Sequence, residues 1–350
     1  MTRTRPTITD VARHAGVSVA TVSRVLNNNA SVGDDFRAKV LAAIEALHFR
    51  PSPLAQNLRR YAPATRLIGA IVPSLRSPHF VEVVIGIQEF CYEREYGVVI
   101  CNAHGDPEQE LFYASELERQ GVEGIIFTGA WGWDMIDHIE ALVEKKIPVC
   151  VINRPIGQLA VDLVMVGRRQ GNYLATGHLL NLGHRSIGHI TTRYSGSTAR
   201  EAASGYRKAL VEAGLAVDES LIVEAEPTPE GGYEAAHMLL GRSPPPTAIA
   251  ARSDLTALGV LRAASEMGLR LPDDLSVVGF DDAPFAQFTN PPLTTIRQPQ
   301  AEMGAHAAAL LLERLANPDL PQRQVILEPR LIIRGSTAKY QPLPAATALA

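Results

Sequence analysis

The chain has 350 residues, 46% of them hydrophobic, with 33 Lys/Arg against 37 Asp/Glu. That length fills several cores, one small and two medium, and the lack of any run of about 18 apolar residues excludes a membrane-spanning helix. Charge divides the chain: residues 1–62 carry nine Lys/Arg and four Asp/Glu, a net of +5, which leaves −9 on the remainder of a chain whose total is −4. A basic head on an acidic body suits a polyanion held by one end. The opening MTRTRPTITD has no apolar stretch of a signal peptide. Cys91, Cys101 and Cys150 are odd in number and lack metal-like spacing. A cytoplasmic chain with free thiols, no metal and no cofactor is expected.

The first predicted elements lie in TDVARHAGVSVATVSRVL (residues 9–26). Two short helices joined by a tight turn fit this stretch, with Thr9 and Ser18 as caps and Gly16 where the turn needs positive φ. Val11, Ala12, Ala15, Val22, Val25 and Leu26 have the spacing of a small shared core. Ser18, Val19, Ala20, Thr21, Ser23 and Arg24 are left at and near the start of the second helix, the part a helix-turn-helix inserts into the major groove. A third helix is predicted from about Asp34, as cap, to Leu47, with Phe36, Val40, Ala43, Ile44 and Leu47 as its apolar stripe. Ser52-Pro53 then opens a helix of about two turns, Pro53 to Arg60, too short to be stable alone. From about Thr65 apolar strands alternate with amphipathic helices. Strands are predicted at 67–72, 97–102, 124–129 and 148–153 and in the later runs LVMVG, SIGHIT, TAIAAR and LSVVGFDD; helices include 107–120, 133–146, 169–182 and 255–267. The alternation implies parallel sheets covered by helices, with a cleft at the carboxyl ends of the strands.

The order TITDVARHAGVSVATVSRVLN, RPSPLAQNL, then GLRLPDDLSVVGFDD (268–282) and FDDAPFAQFTNPPLTTIRQP (280–299), resembles the lactose-repressor/galactose-repressor family of bacterial transcription regulators from about Thr7 to Thr337. The resemblance implies a small all-α helix-turn-helix head (1–50), a hinge helix and linker (51–63), a two-lobed α/β body like periplasmic sugar-binding proteins (64–337) and a flexible tail (338–350). It implies a regulator, in the sense of a repressor, of a near-palindromic operator. Val19, Ala20 and Arg24 would select bases, with Arg24 suited to guanine and the apolar pair to a thymine methyl. Leu58 would wedge into the minor groove beside Ala55 and Asn57. The tail AKYQPLPAATALA lacks a leucine heptad, so a homodimer is expected.

Effector contacts are nominated by position within this resemblance: Ser77 and Phe80 in RSPHF, Asn153 and Arg154 after the fourth strand, Arg200, Ser253 and Asp254, and Asp281. Asp254 and Asp281 are also suited to capping a helix, and Phe80 to the core. The chain departs from the family where an Asp-Asn pair usually follows the fifth strand; here Gly167 and Arg168 stand there. Ala202 replaces a clamping arginine, and Ser253-Asp254 replaces Asn-Asp. Familiar sugar-binding groups are lost, while Arg154, Arg168, Arg193, Arg200 and Arg252 appear. Guanidinium groups suit carboxylate and phosphate, so a sugar acid or phosphorylated sugar is the expected effector, with a neutral sugar as the alternative. His184, in NLGHRSIGHI, reads as structural. A solute-binding protein would have no use for the basic head. An enzyme would need a catalytic constellation, and the sequence has no Walker loop, G-x-S-x-G or zinc spacing.

Overall fold

The structure is a computed structural model that describes residues 6–26, 33–47, 65–129, 136–154, 156–157, 159–192 and 197–341. They divide into two compact units between Thr65 and Arg66.

In the first unit, helix α1 (Ile8–Ala15) is capped by Thr7 rather than Thr9. Thr7 and Asp10 form a reciprocal capping box, so Thr9 falls inside the helix. Gly16 follows at φ 64°, donating its N–H back to the helix carbonyls, a left-handed conformation that only glycine adopts without penalty. Helix α2 (Val19–Leu26) begins beyond Ser18, whose Oγ accepts from the Thr21 backbone N–H at 3.1 Å. Helix α3 (Asp34–Ala46) is preceded by Gly33, so Asp34 is its first residue and not its cap. Val11, Ala12, Val22, Val25, Val40 and Ala43 close the core, with Ala15, Val17, Ile44 and Leu47 around it. Phe36, expected in the apolar stripe, is instead exposed.

The body has two sheets. Strands β1 (Leu67–Val72), β2 (Gly97–Asn102), β3 (Gly124–Thr128), β4 (Val149–Ile152) and β5 (Asp162–Val166) form the first lobe with β11 (Gln324–Leu327), in the order β11-β5-β4-β3-β1-β2, all parallel. Strands β6 (Ile187–Thr192), β7 (Ile222–Ala225), β8 (Ala248–Ala251), β9 (Ser276–Asp281) and β10 (Thr294–Arg297) form the second with β12 (Arg330–Ile332), in the order β12-β10-β9-β8-β6-β7; only β12 runs antiparallel. The chain crosses between the lobes after β5, after β10 and after β11.

Helix α4 (Pro78–Tyr92) and α11 (Gln300–Ala316) cover one face of the first sheet; α5 (Pro107–Gln120) and α6 (Asp137–Glu144) cover the other. Alternate strand residues feed the two cores: Ile126 turns to Val83, Ile87 and Leu311, while Ile125 and Phe127 turn to Leu117 and Leu142. The second sheet lies between α7 (Arg168–Asn181) with α8 (Ser197–Glu212), and α9 (Pro229–Leu240) with α10 (Asp254–Glu266). Helix α5 matches its predicted bounds, and α7 and α10 each start one residue early.

Helix pairs cross at glycines. A methyl on Gly86 would sit 2.0 Å from the Ala301 carbonyl oxygen, and one on Gly304 2.0 Å from that of Val83. Gly86→Ala is therefore expected to push α4 off α11 and cost about 1–3 kcal/mol. The check is the urea midpoint at constant slope; an unmoved midpoint would mean the helices do not meet this closely.

Residues 338–341, expected in the tail, are described and bonded to the second lobe. The Tyr340 N–H donates to the Leu182 carbonyl at 2.8 Å, and the His184 ring bonds Ala338 O, Thr247 Oγ1 and Ser276 Oγ. Residues 338–341 thus belong to the second lobe, with His184 as the structural pin; residues 342–350 lie outside the described ones.

Candidate functional sites in the head and in the body cleft

In the head, Ser18 and Val19 are exposed at the start of α2, Val19 at 41%. Thr21 is half-buried, its hydroxyl 2.9 Å from Ser18 Oγ. Ala20, Ser23 and Arg24 belong to the same helix, but their side chains, like that of Leu26, lie outside the described residues. So do the hinge segment 51–63 with Ala55, Asn57 and Leu58, and Arg193.

In the body, the carboxyl ends of both sheets face a cavity of about 630 Å³, within the size of small-molecule sites. Ser77, Phe80, Asn153, Ser253 and Asp281 line it, together with His79, Thr128, Thr228, Arg168 and Arg252. Three nominated residues do not. Arg154 is buried, and its Nη1 donates to Glu110 Oε1 at 2.6 Å, where His138 also bonds. Asp254 accepts from Thr295 Oγ1 at 2.5 Å and the Ala283 N–H at 2.6 Å, tying α10 to β10. Burial, then the neighbouring Asp281, hold its carboxyl well above the usual range. Arg200 is exposed on α8 and is not among the lining residues. The cap of α10 is Ser253, whose Oγ accepts from the Thr256 N–H.

The lining groups sit where strands end or the following helices begin. Asn153 follows β4 at φ 51°; its Oδ1 accepts from the Val166 N–H at 2.8 Å, clipping β4 to β5. Its Nδ2 is buried with no hydrogen-bond partner. Phe80 rests on Gly129 and meets the His79 ring edge-on at 5.0 Å, so it is both partly packed and cleft-facing. Arg168 opens α7 with its guanidinium 5.7 Å above the buried Phe280 ring, and its Nε is buried without a partner. Arg252 follows β8. Among the described residues no carboxylate lies within ion-pair distance of Arg168 or Arg252. Burial lowers both, Arg252 to about 10 with Arg168 adding repulsion; both stay cationic at neutral pH.

Asp281 closes β9 at φ 115°, and Asp282 follows at φ 56°. The Asp281 Oδ1 accepts from Gln298 Nε2 at 2.5 Å. Burial pushes its carboxyl up to about 6 against the pull of Arg168 and Arg252. His79 Nδ1 approaches it at 3.6 Å, but this is no salt bridge: burial, then Arg168 and Arg252, hold the imidazole down to about 3. Asp282 accepts from Arg297 and from Arg334, each at 2.6 Å. The cleft thus touches, through Asp281, Asp282 and Gln298, the segment that crosses between the lobes. Among the described residues no group of three His, Cys, Asp or Glu has metal-site geometry, and no helix is long and apolar enough to cross a membrane.

Sequence reasoning missed His79, which carries no local signal beyond its place in RSPHF. Arg168 and Arg252 stand among the arginines that suggest an anionic effector, but nothing local separates them from Arg154 and Arg200, which do not line the cavity.

Residues 7–52 match the model of bacterial regulatory proteins of the lacI family, and residues 176–337 that of periplasmic binding protein-like domains. The HTH-type transcriptional repressor PurR of Mannheimia succiniciproducens is 35% identical over 334 residues, 95% of this chain and 99% of its own. Among solved structures, the lac repressor dimer bound to operator and the anti-inducer ONPF has a TM-score of 0.74 at 28% identity, over 96% of this chain and 100% of that one. The transcriptional regulator CelR in complex with cellobiose has 0.72 at 30%, over 95% and 100%. These relatives are named as transcriptional regulators and a repressor rather than as enzymes or solute carriers. The chain belongs to the LacI family: it is a DNA-binding transcriptional regulator with a helix-turn-helix head and an effector-binding body of periplasmic-binding-protein fold.

Proposed function

We propose that the chain is a cytoplasmic repressor that binds a near-palindromic operator as a homodimer, and that an anionic small molecule in the cleft, a sugar acid or phosphorylated sugar, sets its operator affinity. The observation that carries the anionic reading is the pair Arg168 and Arg252, two cations turned to one cavity without an ion-pair partner among the described residues. Ser77, Phe80, Asn153, Ser253 and Asp281 are the proposed effector contacts with them. The effector acts through unequal affinity for two arrangements of the lobes, a reading supported by the bond from Gln298, on the crossing segment, to the cleft-lining Asp281.

Calorimetric titration with neutral sugars, sugar acids and sugar phosphates tests this reading. Anions are expected to bind and the matching neutral sugars to bind far more weakly; binding of neutral sugars alone would overturn it.

In the head, Ser18, Val19, Ala20, Thr21, Ser23 and Arg24 are proposed for the major groove and Ala55, Asn57 and Leu58 for the minor groove. Arg24→Ala should relax base choice at one position per half-site by about 1–3 kcal/mol. Equal losses on operator and random DNA, in competition binding at fixed salt, would contradict a base contact.

A further inference from the structure

The floor of the cleft holds two guanidinium groups, Arg168 and Arg252, and one carboxylate, Asp281. His79 beside them is neutral, so the floor carries one net positive charge. At the mouth, the exposed Arg76 and Glu230 cancel. A ligand with a single negative charge completes this balance. A phosphate monoester carries close to two at neutral pH, and its oxygens only accept hydrogen bonds near the Asp281 carboxylate.

Hydrogen-bond capacity points the same way. Asp281 Oδ1 is taken by Gln298, while Oδ2 accepts nothing among the described residues and is matched by a donor such as a hydroxyl. Across the cleft the buried Asn153 Nδ2 has hydrogens to give and no acceptor, a cost that a ligand oxygen would relieve. Two guanidinium groups fit the paired oxygens of one carboxylate. Phe80 supplies one apolar face, enough for one sugar ring or chain.

We propose, building on the anionic reading above, that the cleft takes a polyhydroxy monocarboxylate of the aldonate or uronate class. Its carboxylate lies across Arg168 and Arg252, a hydroxyl donates to Asp281, and another oxygen accepts from Asn153 Nδ2.

The test is calorimetry on the full-length protein with D-gluconate, D-glucuronate, D-galacturonate, D-glucose 6-phosphate, D-glucose and acetate. At least one hydroxylated carboxylate should bind tenfold or more tightly than the sugar phosphate, glucose and acetate. Asp281→Asn should cut that preference over acetate at least tenfold, and Asn153→Ala should weaken the same ligand several-fold. Tightest binding of the sugar phosphate would overturn the monocarboxylate class and leave the anionic reading standing. Binding of glucose alone would overturn both. Carboxylates bound no better than acetate, or none bound at all, would overturn the proposed class.

Discussion

Replacing Arg168 and Arg252 together with glutamine is expected to lower effector affinity at least about a hundredfold without unfolding the body. Hydrogen bonds to charged groups contribute about 1.5–3 kcal/mol each, so losing two costs about 3–6 kcal/mol of binding. The same change has two opposed effects on the free protein, removing the repulsion between the guanidinium groups and their pull on the Asp281 carboxylate. The two guanidinium groups repel each other in a partly dehydrated cleft, which is part of why Arg252 is held down to about 10. The double variant should therefore melt close to the parent, and a thermal scan beside the calorimetric titration checks both halves. Undiminished anion binding by the variant would remove the guanidinium pair from the site.

Asp281→Asn should have opposite effects on binding and on stability, and the second effect depends on pH. The folded-state value of Asp281, about 6, lies above the ordinary aspartate value of about 4. The unfolded chain therefore gives up its proton first as pH rises. The stability contributed by the neutral carboxyl is complete below about pH 4 and is lost as pH passes through about 6. A shift of two units corresponds to about 3 kcal/mol. The asparagine variant, uncharged throughout, should match the parent near pH 4 and exceed it by about 2–3 kcal/mol at pH 8, provided its side-chain oxygen keeps the Gln298 bond. Urea titrations at the two pH values measure this. A difference independent of pH would show that Asp281 does not titrate with folding. The parent retaining a carboxylate that costs this much fits a group kept for ligand contact.

Much of the architecture was legible because its signals are local. Apolar strands separated by amphipathic helices mark a parallel sheet wherever it occurs, and α5 carries both Asp106 as cap and Gly121 as stop. The cap of α1 was misplaced by two residues because Thr7 and Thr9 both precede an apolar face; only the reciprocal bonds with Asp10 distinguish them. The glycine crossings of α4 and α11 were not legible, since periodicity tells which face of a helix is apolar and not where two backbones touch.

Of the residues nominated by position, Ser77, Phe80, Asn153, Ser253 and Asp281 lie on the cleft. Arg154 lies off the cleft lining, its Nη1 held by Glu110, 44 positions away. Asp254 also lies off it and serves Thr295 and Ala283, whose proximity is a product of the second sheet. Long-range partners decide which polar side chains remain available to a ligand.

An anion bound in the cleft is expected to change the affinity of the head for its operator. The most direct test takes an operator selected by the full-length protein from a random duplex library and follows its binding by fluorescence anisotropy at fixed salt, with and without a saturating anion that calorimetry has shown to bind. Operator affinity should change by about fivefold or more in either direction, and the change should be abolished in the Arg168→Gln/Arg252→Gln variant. An operator affinity that stays the same while the anion saturates the cleft would contradict this coupling.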